Sequence, residues 1–175
     1  PGHCKIISQT LSEAAPREKS RFEDNTQAYL KELKELDSQF RQVVNQGRLH
    51  MIVVADKFPF RYFADEYGLS YRAAFSGCSG DTEPSARTIA YLIDKVKEER
   101  IPAVYYLELS SHRTAEIIQE ETGAMPLLLH SCHNVTRKQF DEGVTYLQLM
   151  KQNVETCGMG WNNLSRDNPG WNNQL

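Results

Sequence analysis

The sequence predicts an α/β protein: a four-stranded, parallel, doubly wound lobe preceded by one long helix. One observation behind this is a single apolar stripe kept at helical spacing over residues 20–46. Another is that, from residue 50 on, four short apolar runs alternate with segments of helical period, the pattern of strand–helix–strand units. The third is that those runs are apolar at successive positions, as parallel strands covered on both faces must be.

The long helix places Phe22, Tyr29, Leu33, Leu36, Phe40 and Val43 three, four or seven residues apart. Lys, Glu, Gln and Arg fill the other face, and Gly47 stands where a C-terminal cap would. About 27 residues at 1.5 Å each make a rod of about 40 Å, long for a domain of this size and suited to a strut between domains. The period then changes. Residues 50–55 read as strand, followed by a helix through Tyr62, Phe63 and Tyr67 that stops at Gly68, and a second strand over 69–75. Thr82 is expected to cap a helix with Pro84 in its first turn and Ile89, Leu92, Ile93 and Val96 facing inward. A third strand over 102–107, a helix over 113–122 closed by Gly123, and a fourth strand over 126–129 complete the alternation. One last helix carries Phe140, Val144, Tyr146, Leu147 and Met150. From Cys157 a polar phrase around Trp161 is repeated around Trp171, with Pro169 between, and 156–175 reads as a disordered or extraneous tail.

With 175 residues the chain can bury one full core, and 40% hydrophobic with 25% charged residues is ordinary for a globular domain. A net charge of −3 leaves no basic excess to neutralise phosphates, which argues against nucleic acid as a partner. No apolar run approaches the ~20 residues needed to span a bilayer. The opening Pro1-Gly2-His3-Cys4 shows neither a signal peptide nor an initiating Met, so the chain is expected to be part of a longer protein. Cys4, Cys78, Cys132 and Cys157 are too widely spaced for a CxxC zinc knuckle or a disulfide-dense mini-protein.

In an open α/β sheet, ligands bind beyond the carboxyl ends of the strands. This chain places there Asp56 and Lys57, then Cys78 and Ser79, then Glu108, then His130, Cys132 and His133. Imidazole and thiolate are donors that suit Zn²⁺ and related ions. His130, Cys132, His133 and Cys78 are therefore expected to converge as metal ligands, with Glu108 a weaker candidate. His130 and Cys132 share a face if the strand continues, whereas His133 needs a turn to join them. Plainer roles compete at several positions: Glu108 as a cap for a helix starting near Ser110 or Ser111, Asp56 and Lys57 as a solvated turn, Glu83 as first-turn charge, and His112 as a surface residue. His3 and His50 have no constellation around them. A Cys78–Cys132 disulfide stays open beside the metal site, and it would leave only the two histidines as ligands. Nucleotide, P-loop, GxSxG and HExxH signatures are absent. The enzymatic rival is a thiol-dependent hydrolase built on Cys78 with His130 as base; no catalytic residue is assigned.

Three phrases carry a resemblance: Phe60 to Leu69, Asp81 to Ala86, and Thr145 to Asn153. With Phe22 to Phe40 they cover about residues 5–155 in order and spacing. Together they resemble the zinc- and manganese-type solute-binding proteins of bacterial ABC importers. The resemblance implies two α/β lobes joined by one long helix, with metal held between them. Residues 1–16 then match the last helix of the N-terminal lobe, 17–46 the connecting helix, and 48–155 the C-terminal metal-binding lobe. The N-terminal lobe and its histidines are missing. Lys57 stands at a family ligand position and, as an ammonium, has no lone pair to donate, so that ligand is lost. His130, before Ser131, matches the family's aspartate ligand and makes the site softer and more zinc-like. The implied function is capture of zinc, or manganese, for a membrane permease, in an extracytoplasmic (periplasmic or surface-anchored lipoprotein) setting. A remnant that no longer binds metal and serves as an interaction module is the remaining alternative.

Overall fold

The computed structural model describes residues 2–75 and 84–161, and the chain divides into two compact units, 1–40 and 41–175. The first unit holds α1 (Gly2–Ala14), a 3-10 turn at Pro16–Glu18, and most of α2 (Lys19–Gln46). Proline opens the turn, where its missing N–H costs nothing. The α2 helix passes through Leu33 without a break; Leu36 and Phe40 of its predicted stripe are buried, and Val44 rather than the expected Val43 is the buried position in the last turns. Its outer face carries i,i+4 pairs such as Lys19–Glu23 and Lys31–Glu35, each worth only a few tenths of a kcal/mol. Packing of the stripe, rather than these pairs, holds the helix.

In the second unit a four-stranded sheet is ordered β2-β1-β3-β4, with β1 Met51–Val54, β2 Ser70–Ala73, β3 Ala103–Tyr106 and β4 Met125–Leu128. All three pairings are parallel, in register Met51 to Ser70, Val54 to Tyr105 and Ala103 to Met125. The intervening helices are α3 (Arg61–Tyr67), α4 (Ala86–Glu98) and α5 (Arg113–Thr122), followed by α6 (Arg137–Asp141) and α7 (Tyr146–Trp161). Both faces of the sheet are covered. Val53 and Val104 pack with Leu92 and Val96 of α4 and Ala115 and Ile118 of α5. Ala103 and Tyr105, one position out of phase with Val104, face α7 at Gly160. Leu92, Ile118 and Val104 are fully buried, each worth about 1.5–3 kcal/mol of apolar transfer. No helix among the described residues is long and apolar enough to cross a membrane.

Gly68 and Gly123 end α3 and α5 in left-handed backbone, at φ 65° and 74°, where the sequence places the stops. Elsewhere the structure departs from expectation. Ser85, not Thr82, caps α4: its Oγ accepts the Thr88 N–H at 3.1 Å, so Pro84 lies before the cap rather than within the first turn. The expected single last helix is two. Gly143 at φ 68° follows α6, and a new start is built at Thr145, whose N–H donates to Gln148 Oε1 at 2.7 Å while its Oγ accepts the Gln148 N–H. Thr136 and Gln139 form the same reciprocal capping box before α6.

The tail boundary also moves. Residues 156–161 continue α7, and Cys157, Gly160 and Trp161 are buried. The glycine that looks helix-poor in sequence is a close-packing site, since a Cβ at Gly160 would overlap Tyr105 Oη. The helix end is also tied down by the Arg48 N–H, which donates to Trp161 O at 3.2 Å. Gly160→Ala is therefore expected to destabilise the chain by about 1–3 kcal/mol. Gly158→Ala, whose new methyl meets only Val43 at 3.9 Å, should gain about 0.5–1 kcal/mol of helix propensity. Urea unfolding of both variants checks the pair; equal effects would place 156–161 outside the packed helix.

Candidate metal centre

The parallel sheet puts the ends of β3 and β4 side by side, and the residues just beyond them form one hydrogen-bonded cluster. Leu129 continues the ladder by donating its N–H to Tyr106 O at 2.9 Å, which carries the chain to His130 before it turns. His130 is 3% exposed. Its backbone is held from α7: the His130 N–H donates to Asn153 Oδ1 at 2.8 Å, and Asn153 Nδ2 donates to His130 O, also at 2.8 Å. Asn153 is itself buried.

The ring is held by its own loop. The Cys132 N–H donates to His130 Nδ1 at 2.9 Å. A neutral imidazole accepting at Nδ1 carries its proton on Nε2, and Nε2 is buried with no hydrogen-bond partner. An orphaned buried polar atom costs about 1–3 kcal/mol, and such atoms call for an explanation. Glu108 Oε2 lies 3.9 Å from Nδ1. Metal binding at Nε2 needs the proton on Nδ1, where Glu108 is the carboxylate at hand to receive its N–H, the carboxylate–histidine–metal arrangement.

Glu108 does not cap the following helix. Its carboxylate accepts the Ser131 N–H at 2.8 Å and, through the other oxygen, a short hydrogen bond from Ser131 Oγ, which bridges the two strand ends. The α5 helix instead starts after His112, which offers no side-chain cap. Burial pushes the Glu108 carboxyl up, but donation from Ser131, a backbone N–H of its own and nearby His130 outweigh it and hold it below the ordinary range.

Cys132 reaches its place by left-handed backbone, φ 60°, so the continuing strand that would put it on His130's face is not present. It is half-buried, and its Sγ sits 3.9 Å from His130 O. Burial, and then the Glu108 charge, push the thiol up to about 11, so it is protonated at neutral pH. His133 is exposed, with its N–H donating to Ser131 Oγ at 3.2 Å. Lys57 is exposed, and its N–H donates to Asp56 Oδ1 at 2.7 Å, a local solvated turn. His112 is exposed and its ring lies 4.0 Å from that of Tyr106. Among the described residues, no three His, Cys, Asp or Glu side chains converge closely enough to hold a metal. Cys78, its pairing with Cys132, and Glu83 fall outside those residues.

Sequence reasoning missed Asn153 and Ser131. Asn153 had a readable signal: it is a polar residue four positions from both Leu149 and Cys157, on the buried stripe of α7.

Comparison with known proteins agrees with this architecture. A family model described as zinc-uptake complex component A, periplasmic (ZnuA), matches residues 3–158. The high-affinity zinc uptake system protein ZnuA of Bacillus subtilis is 29% identical over 151 residues, 86% of this chain and 47% of that protein. The zinc-binding protein AdcA of Streptococcus pyogenes is 31% identical over 150 residues, 86% of this chain and 29% of that one. Among solved structures, the metal-dependent lipoprotein YcdH of Bacillus subtilis superposes with a TM-score of 0.78 at 28% identity, covering 90% of this chain and 59% of that chain. The Zn(II)-bound ZnuA-like domain of Streptococcus pneumoniae AdcA gives 0.73 at 30% identity, over 89% and 58%. The fold is thus one shared with zinc-binding solute-binding proteins. The chain belongs to the ZnuA family, and it spans about half the length, or less, of the curated relatives it matches.

The lowered Glu108 pKa has a stability consequence. A group depressed on folding contributes stability above its unfolded value, near 4.5, and that contribution is lost as pH falls through the folded value. Glu108→Gln should therefore be less stable than the parent at pH 7, with the gap closing below about pH 4. Denaturant melts across pH 3–7 check this; a gap that is constant or widens in acid would contradict the Ser131 arrangement.

Proposed function

We propose that this chain is the C-terminal lobe and connecting helix of a protein that captures Zn²⁺ outside the cytoplasm and delivers it to an ABC permease, with Mn²⁺ as the alternative cargo. The observation that carries the reading is His130, a buried imidazole with an unpartnered Nε2 at the carboxyl edge of the sheet, in a chain of the ZnuA family. His130 is the first ligand. Cys132 and His133, with Cys78, are the further donors this lobe can offer, and Glu108 stands behind His130 rather than on the metal. Lys57 contributes nothing to the metal, because an ammonium has no lone pair.

The rest of the coordination shell is assigned to a second lobe. Residues 1–16 are read as the last helix of that lobe, and α1 supports this. It buries Ser8 and Ser12 while leaving Ile6 and Ile7 65% and 58% exposed, an apolar surface that needs cover. Relatives described as periplasmic or as lipoproteins support an extracytoplasmic setting. Membership of a family of zinc-uptake proteins supports a binding protein rather than an enzyme, and the hydrolase reading rests on Cys78, outside the described residues.

Zinc titration of the chain against a chromophoric chelator tests the proposal. The parent should bind zinc, and His130→Ala should weaken binding by more than the roughly 10–100-fold typical of losing an outer-shell partner. Cys132→Ser and His133→Ala should weaken it less. No zinc uptake by the parent, with or without an added N-terminal lobe, would leave the non-binding remnant as the better account. Ester or thioester hydrolysis abolished by Cys78→Ala would favour the hydrolase.

A further inference from the structure

The most constrained part of the cluster is not a donor. Asn153 faces the backbone of His130 with both ends of its amide, accepting from its N–H and donating to its C=O at 2.8 Å each, across 23 residues of sequence. Both residues are 3% exposed, so neither hydrogen bond is shared with solvent. The pairing copies what a neighbouring strand would provide: an amide side chain takes the place of a ladder partner where β4 has ended. It fixes the peptide at one position and leaves the ring to be aimed by the loop that follows. Met150 Sδ, 3.4 Å from Asn153 Nδ2, fills the remaining space beside the amide.

We infer that Asn153 is a positioning residue for metal capture: its amide locks the His130 peptide against α7 and so fixes where the ring lies beside Glu108, and a metal then takes Nε2 as the proton passes to Nδ1 on the Glu108 side. This rests on the zinc-capture reading above and deepens it. The chemistry demands a residue with one donor and one acceptor on a short, planar head. Aspartate keeps the acceptor for the His130 N–H but sets a second oxygen against His130 O. Serine is too short to span both partners.

The experiment compares Asn153→Asp and Asn153→Ser with Leu149→Ala, a buried position one turn earlier on the same helix that takes no part in the cluster. Two readouts are taken on the full 175-residue chain below the melting temperature of every variant: zinc affinity by chelator competition, and the imidazole ¹⁵N shifts of His130 without metal. Asn153→Asp and Asn153→Ser should lose about 10–100-fold in zinc affinity. They should also convert the single Nε2–H tautomer of the parent into a mixture. Leu149→Ala should lower the melting temperature while leaving affinity and tautomer at parental values. Unchanged affinity in the Asn153 variants, or an equal loss in Leu149→Ala, would overturn the inference and reduce Asn153 to a packing residue. If the parent binds no zinc, the capture reading has failed, and the ¹⁵N shifts alone decide: parental shifts in both Asn153 variants overturn the positioning role, and a tautomer mixture upholds it.

Discussion

The constraint on which this structure depends is the two-sided burial of β1 and β3. Ile52, Val53 and Val54, and Ala103, Val104 and Tyr105, are all nearly inaccessible, so each central strand must be covered above and below. Only helical crossovers satisfy that in a parallel sheet, and they return every chain segment to the same edge. The polar loops, and with them Asp56, Glu108, His130 and Cys132, gather at the carboxyl edge as a consequence. The site's location follows from hydrophobic burial before any ligand chemistry is considered.

What the burial does not set, hydrogen bonds do. Glu108 at the end of β3 and Ser131 just beyond β4 bridge the strand ends, and Asn153 ties His130 to α7. The α7 helix reaches the start of the lobe, where the Arg48 N–H meets Trp161 O and Gly47 lies against Trp161. One helix therefore holds the candidate ligand near its middle and the exit of α2 at its end. Its close seat on Tyr105, permitted by Gly160, makes that anchoring stiff.

The fold was legible because its signals are local. Gly68 and Gly123 stop helices, the β-branched run 52–54 marks a buried strand, and the stripe Leu33-Leu36-Phe40 marks α2. The α6–α7 break was equally local, in the two Thr-x-x-Gln boxes at 136–139 and 145–148, but the apolar residues between them masked it. The end of α7 was not local: Gly160 is there for contact with a strand 55 residues earlier, which composition alone reads as a tail. At the site, position was readable and connectivity was not. His130 stands at a strand end by pattern, whereas Asn153 and Glu108 act on its loop across 23 residues each. Cys132 was expected to follow strand geometry, and the left-handed turn that places its N–H on Nδ1 depends on that same tertiary pairing.

Metal entry at His130, on the carboxyl edge of β4, can be read from X-ray absorption at the zinc edge on the loaded chain, beside the same spectrum of His130→Ala. The expected first shell has imidazole nitrogen at about 2.0–2.1 Å and a sulfur contribution near 2.3 Å, with the nitrogen part diminished in the variant. An all-oxygen shell, identical in the two proteins, would contradict it.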